Sequence, residues 1–129
     1  MNESTIKSAL VKTLRLALPG FVVIRHEDRF TAGVPDISVT GHGLTSWWEV
    51  KFANPRLHSR DVQRLTALRL ASAGVCFYVV YQLEDDMRRV AVVHPHWIED
   101  WESHVAWGAT IFAHQHVATF VRQTHLRGR

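Results

Sequence analysis

Residues 75–81 read VCFYVVY, seven consecutive residues with no charge and no polar alternation. A strand with one wet face alternates apolar and polar positions, whereas an unbroken run of this length belongs to a strand covered on both faces. Covering a sheet on both faces takes helices, so the run points to an α/β fold with helices flanking a central sheet. The neighbouring segments fit that frame. Residues 3–17 place Ile6, Ala9, Leu10, Leu14 and Ala17 at helical spacing before Pro19-Gly20 stops the helix. Roughly 60–73 form a second helix, with Ser59 as N-cap, Asp61 in the first turn, Val62, Leu65, Leu68 and Leu70 as its apolar residues and Gly74 as C-cap.

The β-branched and aromatic stretches 21–27, 35–40, 46–52 and 88–94 read as further strands. Pro35 is tolerated at a strand start, and GHG turns the chain so that the strands at 35–40 and 46–52 run antiparallel. QLEDDM reads as a turn, 95–103 as a short helix, and 104–129 fits a helix or a strand equally well. The order is α-β-β-β-α-β-(β-α), a mixed sheet with helices on its faces. At 129 residues the chain is expected to be a single domain, 1–129, with its core over about 3–94 and a C-terminal extension over about 95–129.

Composition narrows the function only a little. The formal charge is +3, a mild excess that permits nucleic-acid binding without requiring it. Arginine outnumbers lysine 12 to 3; the guanidinium fork matches phosphate oxygens, and a GC-rich genome produces the same bias. Cys76 is the only cysteine, so no intramolecular disulfide forms, and its apolar surroundings make it a small core residue. MNESTIKSAL has polar residues where a signal peptide has its apolar core, and no apolar run approaches the about 20 residues that span a bilayer. A soluble, cytoplasmic protein without a membrane partner is expected.

Residues 33–52, GVPDISVTGHGLTSWWEVKF, place three charges inside apolar strands. Side chains alternate across a strand. Trp48, Val50 and Phe52 therefore share one face, and Trp47, Glu49 and Lys51 the other; Ile37 and Val39 oppose Asp36, Ser38 and Thr40. If the two strands pair, Asp36, Glu49 and Lys51 converge on one side. Strands lie about 4.8 Å apart, a gap that Mg²⁺ bridges with carboxylate oxygens at about 2.0–2.1 Å. With a lysine beside it, such a pair supports metal-assisted attack of water on a phosphodiester. The plain alternative is a solvated Glu–Lys pair on an open sheet face.

GVPDIS followed by WWEVKF resembles the signature of the PD-(D/E)XK nucleases, and HSRDVQRLTALRLASAGVCFYVVY resembles their VRR-NUC (virus-type replication-repair nuclease) branch, through Ser59, Gln63, Leu68, Ala73, Gly74 and Val75. The likeness spans about residues 3–81. It implies a restriction-endonuclease-like α-β-β-β-α-β core and a Mg²⁺-dependent DNA endonuclease, with Mn²⁺ able to substitute. Such an enzyme cuts branched substrates such as Holliday junctions or flaps in replication, repair or recombination, leaving a 5′-phosphate. By the same resemblance Asp36 and Glu49 ligate the metal with the Val50 backbone carbonyl, Lys51 positions the attacking water, and Gln63 holds a water or phosphate. Family members often carry an acid in the first helix; Glu3 is the candidate, and a first-turn helix charge is its ordinary explanation. Two alternatives remain: a restriction-type duplex endonuclease, and a non-catalytic DNA-binding subunit on a nuclease fold.

Arg56, Arg60 and Arg64 cluster around the start of the Gln63 helix. With Ser59 and the helix N-terminus they form either a phosphate cradle or an ordinary solvated face. His26 and His58 flank the presumed site and are candidates for DNA contact. The pairs His94/His96 and His114/His116 share faces if extended, but no third ligand stands at metal-binding spacing, so surface histidines are the better reading. Trp97 and Trp101 with Ile98 form a stripe suited to the core or a dimer interface. A homodimer suits an enzyme that must cut two strands.

Overall fold

The computed structural model describes residues 2–27, 33–53, 61–84, 87–104 and 113–127. The chain runs α1 (Glu3–Ala17), β1 (Val22–Arg25), β2 (Ile37–Gly41), β3 (Leu44–Ala53), α2 (Asp61–Ala73), β4 (Val75–Glu84), β5 (Met87–Val93), a 3-10 helix (Pro95–His104) and α3 (Ala113–Arg127). It is an α/β fold. The five strands form one mixed sheet in the order β1-β2-β3-β4-β5, antiparallel except for the parallel β3–β4 pair that α2 connects.

Each element follows from local chemistry. Asn2 caps α1 by accepting from the Thr5 N–H at 2.9 Å, and the helix buries Ile6, Leu10, Val11 and Leu14. The β2–β3 hairpin turns on His42 and Gly43, both at positive φ (54° and 75°), the backbone that tight two-residue hairpins require. The Gly74 N–H bonds the Leu70 carbonyl at 2.8 Å and closes α2.

Two apolar layers sandwich the sheet. On one face α1 and α3 cover Val23, Ile37, Val39, Trp48, Val50, Val79 and Tyr81. On the other, α2 and the 3-10 helix cover Cys76, Tyr78, Val80, Ala91 and Val93, with Ala67, Ile98 and Trp101 as their contribution. The run at 75–81 thus alternates between two buried layers, which is why it carries no polar positions. Trp97 is exposed and meets His96 edge-on, with ring centroids 4.5 Å apart.

The structure departs from the sequence reading in two places and decides an open one. Gln82–Glu84 belong to β4, paired with Met87–Arg89 of β5, so their polarity is that of a hairpin arm and not of a turn. Val62 and Leu65 are 50% and 52% exposed; α2 packs through Ala67, Leu70 and Ala71 instead. Residues 113–127 are helical and bury Ala113, Val117, Ala118, Val121 and His125. Among the described residues no helix is long and apolar enough to cross a membrane.

Candidate functional site

Continuing the β2–β3 register (Ile37↔Trp48) by one residue sets Asp36 opposite Glu49. The position is of the close, non-hydrogen-bonded type, with Cα atoms about 4.5 Å apart and side chains on the same face. Asp36 turns its carbonyl toward β1, where it accepts the His26 N–H at 2.7 Å. Beyond Trp48 the β2 strand has ended, so β3 needs other acceptors for its N–H groups on that side. Two carboxylates supply them. Asp36 Oδ2 accepts from Val50 at 2.9 Å, and Glu3 Oε1, from the start of α1, accepts from Phe52 at 3.3 Å. Because N–H and C=O of one strand residue point the same way, the Val50 carbonyl also faces the Asp36 side.

Glu49 is 1% exposed and Lys51 8% exposed, which rules out the solvated Glu–Lys pair on an open face. Burial pushes the Glu49 carboxyl up, and its hydrogen bond to Asp36 and that group's charge push it further, to about 9, against the opposing charges of Lys51 and Lys7. Burial would also raise Asp36, but the hydrogen bond from Glu49, the Lys7 ammonium and the Val50 N–H outweigh it and hold Asp36 below its usual range. The two carboxyls therefore share a proton near neutrality, with Asp36 as the anion. Glu49 Oε2 is buried without a hydrogen-bond partner, an arrangement that a fold does not keep without compensation elsewhere.

Lys51 Nζ donates to Gln63 Oε1 at 2.7 Å, so the first turn of α2 holds the lysine in place. Gly33 makes that approach feasible. Its φ is +83°, and a Cβ there would stand 2.7 Å from Thr66 Oγ1 and 2.9 Å from the Val62 carbonyl, both on α2. The chain therefore passes tightly under the helix on its way to Pro35-Asp36. The His26 ring bonds Ser38 Oγ at 2.8 Å and lies 5.2 Å from the Trp47 ring, a prop behind Asp36.

The structure thus brings together Asp36, Glu49, Val50, Lys51, Gln63 and Glu3. Arg64 turns away: it pairs with Glu99 of the 3-10 helix. Arg56, His58, Ser59 and Arg60 lie outside the described residues. Sequence reasoning missed Lys7, whose Nζ stands 2.9 Å from Asp36 Oδ1. The only signal for it was its spacing, one turn past Glu3 on the same flank of α1. No protein-family model matches the chain, and no curated protein matches it.

The donor set is all oxygen. Among the described residues no three His, Cys, Asp or Glu groups gather closely enough to cage a metal. Two carboxylates and a strand carbonyl with an unsatisfied Oε2 fit a hard cation that keeps several waters, as Mg²⁺ does; they do not fit zinc.

Proposed function

We propose that this chain is a Mg²⁺-dependent DNA endonuclease of the PD-(D/E)XK superfamily, in its VRR-NUC branch and on its restriction-endonuclease-like core. The observation that carries the reading is the buried Glu49 set against a half-buried Asp36, with Lys51 held beside them by Gln63. A proton-sharing carboxylate pair whose buried member, Glu49, has an orphan oxygen is costly to keep unless a cation compensates it.

Asp36, Glu49 and the Val50 carbonyl would hold the metal. When bound, Mg²⁺ lowers the pKa of water and neutralises charge building on the phosphate. The protein's own groups do the rest. Lys51 Nζ, fixed by Gln63, orients the attacking water and faces the phosphoryl oxygens. Glu3 and Asp36 pin the β3 amides so that Glu49 and Lys51 keep their directions. Lys7 supplies the positive charge against Asp36 in the metal-free protein. Branched or flapped DNA is the proposed substrate, cut by a homodimer.

The test is incubation of purified protein with labelled four-way junctions, flaps, single strands and plain duplex in Mg²⁺, Mn²⁺ or EDTA, beside Asp36→Ala. Metal-dependent cutting of branched substrates, lost in Asp36→Ala, is the expected result. Binding without cutting in either metal refutes the nuclease, and cutting of plain duplex at one short sequence replaces it with a restriction-type enzyme.

A further inference from the structure

The outer flank of α1 and the edge strand β1 enclose a groove of about 380 Å³, lined by Ser8, Val11, Lys12, Arg15, Leu16 and Arg25. It is distinct from the carboxylate site: it lies on the next flank of the helix that carries Glu3 and Lys7. Three of its six lining residues are cationic and none is acidic.

Two of the cations are fixed in place. Arg25 donates to Ser8 Oγ at 2.7 Å and to Ser4 Oγ at 3.2 Å. Arg15 donates to the Val23 carbonyl on β1 at 3.0 Å. Lys12 is exposed and has no ion pair among the described residues. Among the described residues the counter-charge paired at the groove is Glu27, 3.2 Å from Arg25, but its side chain is 73% exposed and so screens little. Side chains held in place beside like charges are preorganised for an anion. The groove is also larger than a phosphate group alone needs, falls within the size range of small-ligand pockets, and has Val11 and the 76% exposed Leu16 as an apolar wall. That combination suits a phosphate with its sugar attached.

We propose that this groove anchors a sugar-phosphate unit of the nucleic-acid strand, a few nucleotides from the bond that is cut. The assignment rests on the nuclease reading for its ligand class. Lys12 and Arg15 lie about 7–12 Å beyond Lys7 along the helix axis, a span of a few backbone phosphates. Arg25 adjoins His26, whose N–H bonds Asp36, so one strand can reach from the carboxylates across Arg25 into the groove.

The experiment is fluorescence anisotropy of a labelled single strand and a labelled flap, titrated in EDTA at several salt concentrations. Lys12→Gln and Arg25→Gln are expected to weaken binding by about 3- to 10-fold and to lower the salt slope by about one each. Arg69→Gln, on α2 across the sheet from α1, should change neither beyond the loss of overall charge, and Lys12→Gln should melt like wild type. Because no metal is present, the result is independent of cutting. Groove-dependent binding by a protein that never cuts would uphold the groove and refute the nuclease. Wild-type affinity and slope in Lys12→Gln, or no strand binding by wild type, would overturn it. So would displacement of the strand by inorganic phosphate at matched ionic strength, which would make the groove a free-anion site.

Discussion

Asp36 and Glu49 are the same functional group on neighbouring strands, yet they hold protons in opposite ways. Glu49 binds its proton more tightly folded than unfolded, so the stability this contributes is complete at low pH and is lost as pH rises toward about 9. Asp36, held below its usual range, contributes stability above that range and loses it in acid. In EDTA the melting temperature should therefore decline as pH rises from about 5 to about 9. Glu49→Gln keeps a donor for Asp36 without the ionisation and should flatten the decline; a wild-type profile already flat over that range contradicts the shared proton. Alternation alone placed Asp36, Glu49 and Lys51 on one side. It could not show that Glu49 is buried, because that depends on how helices cover the sheet. Nor could it show Lys7, which in sequence is one polar residue on the flank of an amphipathic helix and meets Asp36 only after α1 docks.

At the scale of elements, the passage from Gly33 into β2 sets the site. Gly33→Ala would force a side chain into positive φ and drive its Cβ against the Val62 carbonyl, which cannot rotate away. It should destabilise by about 1–3 kcal/mol in urea titration, and an unchanged midpoint would show that α2 does not sit on this corner. Hairpin, helix ends and strand faces were legible because Gly, Pro and alternation mark them locally. The full length of the β4–β5 hairpin was not. Gln82 and Glu84 sit in its arm, where polar residues carry the same composition as a turn. The face of α2 was misjudged because small residues, Ala67 above all, let the helix lie close to the sheet while Val62 and Leu65 remain outside.

Across the whole molecule, residues 113–127 of the C-terminal segment that could be read as helix or strand are part of the core. His125, fully buried on α3, donates from Nδ1 to the Gly41 carbonyl at 2.9 Å and meets Ser46 Oγ at 2.7 Å through Nε2. Ser46 in turn accepts the Trp48 indole N–H at 2.7 Å. This chain of bonds ties residues about eighty positions apart and fixes Trp48, whose neighbour Glu49 is in the site. No sequence period encodes a contact of that range. His125→Ala removes the bonds to Gly41 and Ser46, leaves a cavity and should lower unfolding free energy by about 2–4 kcal/mol, read as a lower urea midpoint at unchanged slope. A loss within error of zero would detach α3 from the sheet's stability.

The central claim is that Asp36, Glu49 and Lys51 form one metal-dependent hydrolytic centre. Single-turnover cleavage of an end-labelled four-way junction in Mg²⁺, wild type against Lys51→Ala, addresses it most directly. The account predicts cutting by wild type, none in EDTA, and a rate at least about 100-fold lower in Lys51→Ala with junction binding retained. Equal rates for the two proteins would contradict it.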